Sequence, residues 1–151
     1  MSLLEIECSI ESEALPSELS ASLAELAQRV QQRHQLTGPI TLVLTDDAHM
    51  QALNAQFRQK DRTTDVLSFD LGTPPEIDGG DGTAYKEIYI SVEQAQRQAE
   101  ALCVALPEEL ARLFVHGLLH LSGWEHETEE TLQRMERETD EILNALGLLP
   151  T

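Results

Sequence analysis

The stretch "PEELARLFVHGLLHLSGWEH", residues 107 to 126, constrains the fold of this chain more than any other. Leu110, Leu113, Phe114, Gly117, Leu118 and Leu121 recur at i, i+3, i+4, i+7, i+8 and i+11. That spacing draws one apolar stripe along an α-helix and predicts a one-sided, partly buried element. Pro107, Glu108 and Glu109 suit its first turn, because proline leaves no amide unsatisfied there and carboxylates favour the positive end of the helix dipole. His116 and His120 stand one turn apart at a margin of the stripe, so both imidazoles can aim at a single point beside the core.

A straight helix would carry His126 about 9 Å beyond His120 and onto another face. Gly123 offers a remedy. Glycine accepts the left-handed conformation that ends helices, and the chain can then turn back and deliver His126 to the same point. Three neutral imidazoles with one position left open form a known arrangement for catalytic zinc. The blander alternative is a pair of satisfied helix histidines plus an unrelated surface one. The pattern H-x-x-x-H-x-x-G-x-x-H also occurs in metzincin peptidases, but there a glutamate follows the first histidine as general base. Here that position is Gly117, which cannot take a proton. The ligand spacing is kept and the peptidase's base is absent.

Elsewhere "LEIECSI" and "ITLVLT" (40–45) read as strands, with the helical stripe Leu19, Leu23, Leu26 and Val30 between them after Pro16. "DDAHMQALNAQFR" reads as a helix that Asp46 or Asp47 caps. "DVLSF" (65–69) and "EIYIS" (87–91) are further strands, separated by a Pro/Gly/Asp-rich loop at 72–84. Helical patterns follow at about 91–103, 107–121 and 128–146. The order β-α-β-α-β-β-α-α-α predicts an α+β fold: a small mixed sheet of about four strands packed with about five helices, the three-histidine site at a helix-turn.

At 151 residues the chain reads as one domain, 1–151. Its amino terminus carries glutamates in place of a basic region and apolar core, so it does not read as a signal peptide. No apolar run approaches a membrane span. Cys8 and Cys103 read as free thiols, small buried hydrophobes in a reducing, cytoplasmic setting. A net charge of −17 argues against non-specific adhesion to nucleic acid or anionic lipid. Any anionic substrate must therefore meet a local exception, and Arg58, Lys60 and Arg62 put three cations into five positions. A solvated helix end is the alternative reading of that cluster. His34 and His49 read as surface helix residues, and Trp124 as a cover over the turn.

"HGLLHLSGWEH" resembles the H-G-x-L-H-L-x-G-[YW]-[DE]-H signature of the YbeY family of metal-dependent endoribonucleases. "LNAQFRQKDRTTDVLSFD" is similar to a second block of that family, with Asn54, Phe57, Arg58, Lys60, Asp61, Thr64, Asp65, Val66, Leu67, Ser68 and Phe69 all matching. The tail "MERETDEILNALGL" also fits, and the resemblance runs over residues 40 to 147. It implies a central sheet with surrounding helices, one Zn²⁺ on His116, His120 and His126, and an arginine near the metal, here Arg58. It implies single-strand-specific cleavage in maturation of the 16S ribosomal RNA 3′ end and in ribosome quality control. The implied partners are ribosomal RNA and the small subunit or its proteins, with no DNA and no membrane. Thr63 and Asp70 stand where the family commonly has proline, and Lys86-Glu87 where it has Gly-Asp.

A divalent metal on three neutral ligands makes hydroxide available near neutral pH without a carboxylate base. Hydroxide can attack phosphorus, or it can deprotonate the ribose 2′-OH. Either route builds charge on phosphate oxygens, which the planar fork of Arg58 is suited to hold. Lys60 and Arg62 are candidate backbone contacts. Asp65 reads as an orienting group or as a plain turn residue. Two alternatives remain: a zinc peptidase-like hydrolase with its base elsewhere, and a ribosome-assembly factor whose metal is mainly structural.

Overall fold

Alternating β-branched and leucine residues make "ITLVLT" the centre of the fold. In the computed structural model, which describes residues 4–8, 17–34, 40–58, 66–72, 85–124 and 128–145, it forms β2 (Ile40–Thr45), buried along almost its whole length. A strand buried on both faces belongs inside a sheet that helices cover. Around it stand β1 (Leu4–Cys8), β3 (Val66–Gly72) and β4 (Tyr85–Ser91), in the order β1-β2-β4-β3. β1, β2 and β4 run parallel, and β3 is antiparallel to β4 at the edge. The expected element order and the four-stranded mixed sheet are both present.

The helices are α1 (Ser17–His34), α2 (Asp47–Arg58), α3 (Val92–Leu102), α4 (Leu106–Leu121) and α5 (Glu129–Ala145). Ile40, Leu42 and Leu44 alternate along β2, opposite Lys86, Ile88 and Ile90 of β4. With Leu23, Leu26 and Val30 of α1 and the stripe of α4, the apolar members of these rows form one buried cluster. Met135, Ile142 and Leu143 of α5 complete it. Val43 and Met50 are buried outside that cluster, as a two-faced strand requires. α4 packs on β3 and β4 and touches α1, α3 and α5. Ala111, Val115 and Leu119 are buried beside the expected stripe, so α4 is enclosed on most sides. The one-sided reading was too narrow, because helices from distant parts of the chain cover the flanks.

Polar caps join the helices. Asp46 accepts from the His49 amide (2.8 Å), which makes it the residue that caps α2. Ser91 accepts from the Gln94 amide (3.1 Å) at the start of α3 and donates to Asp47 Oδ1 (2.5 Å). Arg97 donates to Asp47 Oδ2 (2.7 Å). Burial pushes the Asp47 carboxyl up, but the bonds from Ser91 and Arg97 outweigh it and hold it below the usual carboxylate range. On α4, Glu109 is buried yet accepts two bonds from Arg112 (2.8 Å each) and one from Gln98 (2.6 Å).

Four expectations change or move out of view. Cys103 is exposed, not buried: it is the left-handed residue after α3, with φ 58°. The side chain of Cys8 and the 73–84 part of the loop fall outside the described residues. Lys86, expected only as a departure at strand entry, is 5% exposed. Its register partner on β3 is Asp70. Two of the three departures from the family pattern thus share one register position of the β3–β4 ladder.

Candidate active site

Helix α4 positions the first two histidines. Its entry is built as expected, with Pro107 in the first turn and Glu108 and Glu109 behind it. His116 and His120 are half-buried, one turn apart, on a helix whose other flanks are packed. The Nε2 atom of His116 is buried.

Gly117, between them, is explained by space. A Cβ there would lie 2.9 Å from Ile88 Cγ2 and 3.1 Å from Ser68 Oγ. Ser68 also donates to the Gly117 carbonyl (3.1 Å), closing α4 onto β3. Position 117 therefore faces the sheet, and a glutamate there would be driven into the core.

The exit of α4 takes the shape that Gly123 predicts. The Gly123 amide donates to the His120 carbonyl (3.0 Å) and the Trp124 amide to Leu119 (2.9 Å). These are the paired bonds of a Schellman end. Gly123 has φ 98°, and a Cβ on it would meet nothing within 4 Å. Its need is conformational, not spatial. The turn places the Trp124 carbonyl 3.1 Å from His120 Nδ1. A carbonyl can only accept, so Nδ1 is the donor, and in the neutral ring this leaves Nε2 with the lone pair that a metal needs.

Trp124 does more than cover the turn. Its half-buried ring meets His34 edge-on, with centroids 5.4 Å apart. His34 Nε2 lies 2.6 Å from Glu138 Oε2, and Arg33 Nε lies 2.7 Å from the same atom. His34 is therefore a half-buried strut between α1, α5 and the turn, not a surface residue. Glu138 was legible in principle, since it is an acid on the buried Met135–Ile142 stripe of α5; its partners lie more than a hundred residues away. His49 is exposed as expected, with Nδ1 2.8 Å from the Thr45 hydroxyl.

The structure brings His116 and His120 together on one helix. His126, Lys60, Arg62, Thr63 and Asp65 lie outside the described residues, and Arg58 is the last residue of α2, with its side chain outside them. Among the described residues no group of three metal-ligating side chains assembles, and no helix is long and apolar enough to cross a membrane. The donors that are described suit a metal: two imidazoles in one register, one of them with its tautomer fixed by a backbone carbonyl.

A family model described as Endoribonuclease YbeY matches residues 5–147. The Endoribonuclease YbeY of Agrobacterium fabrum is 35% identical over 159 residues, which cover 98% of this chain and 94% of that protein. That of Nautilia profundicola is 43% identical over 109 residues, 72% of this chain and 73% of the relative. For Trichormus variabilis the match is 44% over 114 residues, 72% of this chain and 64% of the relative. The chain thus spans less than two thirds of some relatives it matches. A solution structure from Thermotoga maritima, 25% identical, superposes with a TM-score of 0.57 and covers 94% of this chain and 90% of that one. Two sequence blocks, a sheet with its five helices, and a match across nearly all of its length lead to one assignment: the chain belongs to the YbeY endoribonuclease family.

Proposed function

We propose that this chain is a single-strand-specific, metal-dependent endoribonuclease of ribosomal RNA maturation, working in the cytoplasm on the 3′ end of 16S RNA as one YbeY-like domain. The observation that carries the reading is the family match over residues 5–147. Its ligand set is His116, His120 and His126 around one Zn²⁺. Support comes from the one-turn pair on α4 and from the Trp124 carbonyl on His120 Nδ1.

A zinc ion held by these residues would supply Lewis-acid chemistry near neutral pH. The rest falls to the chain. His120 keeps its ring orientation through the Trp124 carbonyl, and the packed flanks of α4 hold both imidazoles still. Arg58 holds the charge that develops on the phosphate oxygens, while Lys60 and Arg62 contact the RNA backbone. In a chain of net charge −17 these cations give a polyanion its point of entry. The substrate is ribosomal RNA, presented by the small subunit or its proteins.

The peptidase alternative loses ground at Gly117, where no glutamate side chain fits. The test is single-turnover cleavage of single-stranded ribosomal RNA by the full chain, with and without chelator, at fixed salt. Arg58→Ala should slow cleavage by about 10²–10³-fold with metal content unchanged, the usual effect of removing one donor to developing charge. Arg58→Lys should recover only part, since an ammonium keeps the charge and loses the fork. Wild-type rates in Arg58→Ala would move the function towards an assembly factor with a structural metal.

A further inference from the structure

Beside the α4 exit lies a cavity of about 380 Å³, lined among the described residues by Ser122, Gly123, Trp124, Thr131 and Arg134. One of its lining residues, Trp124, is tied to the proposed ligand His120 through its carbonyl, 3.1 Å from Nδ1. Its volume falls within the range of about 300–1,000 Å³ typical of small-molecule sites.

Most of the lining is already committed. The Ser122 hydroxyl donates to the Leu118 carbonyl (2.9 Å), and Thr131 is locked into reciprocal bonds with Thr128 at the start of α5 (3.0 and 3.1 Å). Gly123 contributes only backbone. That leaves Trp124 and Arg134 to recognise a ligand. The indole is held edge-on by His34. The exposed Arg134 guanidinium sits 5.8 Å from the ring centroid, near the outer limit of about 6 Å for such a contact, so it is loosely held. Arg33, Arg97 and Arg112 each face a carboxylate, whereas Arg29, Arg134 and Arg137 have no ion pair among the described residues, and of these three Arg134 is the one that lines the cavity over the indole. In so acidic a chain, a cation left over an aromatic ring in a cavity suits a ligand with both a flat face and a negative charge.

We propose that this cavity is a nucleotide subsite, holding one unpaired ribonucleotide of the RNA strand next to the cleaved linkage. The base lies against the Trp124 indole and the phosphate meets Arg134. The inference rests on the endoribonuclease reading for what the ligand is part of. Stacking on an aromatic ring tolerates any base, and the wall hydroxyls, already bonded, add no base-specific contact. The subsite thus gives a reason for single-strand preference, since a paired base cannot leave its stack to reach the indole without cost.

Trp124 is the single tryptophan of the chain, so its emission reports on the cavity directly. The metal-loaded full chain is titrated with AMP, ribose 5-phosphate and inorganic phosphate, and its RNA binding is followed over a range of salt. AMP should quench Trp124 strongly and ribose 5-phosphate should not. Arg134→Ala should weaken AMP binding about tenfold, the worth of one charge-assisted contact, and lower the salt slope for RNA by about one. It should also raise the RNA concentration at half-maximal cleavage by about tenfold. Equal quenching by AMP and ribose 5-phosphate, no quenching at all, or RNA affinity within about twofold of wild type in Arg134→Ala would overturn the subsite even if the wild type cleaves RNA. Base-dependent quenching in a wild type that cuts no RNA would support the nucleotide subsite and defeat the endoribonuclease reading instead.

Discussion

Helices α3 and α4 end with the same pair of hydrogen bonds, yet their pivots differ. After α3, Val104 donates to Ala99 (3.0 Å) and Cys103 to Glu100 (3.2 Å); after α4, Trp124 donates to Leu119 (2.9 Å) and Gly123 to His120 (3.0 Å). Cys103 turns at φ 58°, ψ 40°, inside the left-handed well that an L-residue reaches at a cost of roughly 1–2 kcal/mol. Gly123 turns at φ 98°, beyond that well, where a Cβ is strained however much room it has. The first turn has only to start α4, three residues on. The second has also to bring a carbonyl to His120 Nδ1 and an indole to His34. One device serves topology in the first case and a site in the second, and only the second narrows the choice of residue.

The largest effect separates want of space from want of conformation. Gly117 sits in the same helix as the approach to Gly123, but its Cβ would meet Ile88 at 2.9 Å. Gly117→Glu overpacks the α4–sheet contact and buries a carboxylate, which together should cost more than about 3 kcal/mol. Denaturant unfolding should show loss of much of the domain's stability. Gly117→Ala should cost less, since alanine's helix propensity offsets about 1 kcal/mol of the crowding. Ile88→Ala in the same chain should relieve that crowding, a non-additivity that a double-mutant cycle reads directly. Additive losses would mean Gly117 is not placed by the sheet.

Next comes Gly123→Val. Strain at the turn should cost about 1–3 kcal/mol, with a larger effect on the site: the Trp124 carbonyl shifts from His120, and metal retention should fall at least about tenfold, as for loss of a partner that orients a ligand. Metal content after dialysis against a weak chelator checks it. Retention within about twofold of wild type would show that the turn does not govern the proposed ligands.

How much of this was legible beforehand follows the range of the interactions. The order of the nine described elements, the cap at Asp46 and the reversal at Gly123 depend on residues within a turn of each other, and periodicity or backbone sterics reveal them. The strand order, the antiparallel edge, the buried Lys86 and the strut His34–Glu138 depend on partners that only the folded chain brings near. Gly117 lies between these cases. Its lack of a base was readable from the motif, whereas its reason, Ile88 and Ser68 on two other elements, was not.

Cys103→Val repeats the backbone offence of Gly123→Val at the other turn. A β-branched residue at φ 58° should cost about 1 kcal/mol, a fall in melting temperature of about 2–4 °C for a chain of this size. Metal content should stay at the wild-type level, because no site residue hangs on that turn. Comparable metal loss in both valine variants would erase the distinction between the two ends.

Cys103→Gly is the smallest effect and the only one expected to raise stability. The thiol is exposed, so its removal gives up little packing. Glycine at a left-handed position removes the Cβ–carbonyl conflict, but it also frees the unfolded chain, and the two contributions oppose each other. Relief of the left-handed conformation should exceed the added unfolded-state entropy and leave a net gain of up to about 1 kcal/mol. That gain should appear as a higher denaturant midpoint with an unchanged slope, since the surface exposed on unfolding is nearly the same. A lower midpoint would mean that the cysteine at this turn relieves strain the backbone angles do not reveal. The α3 end would then be as tightly specified as the α4 end, by its side chain instead of its backbone.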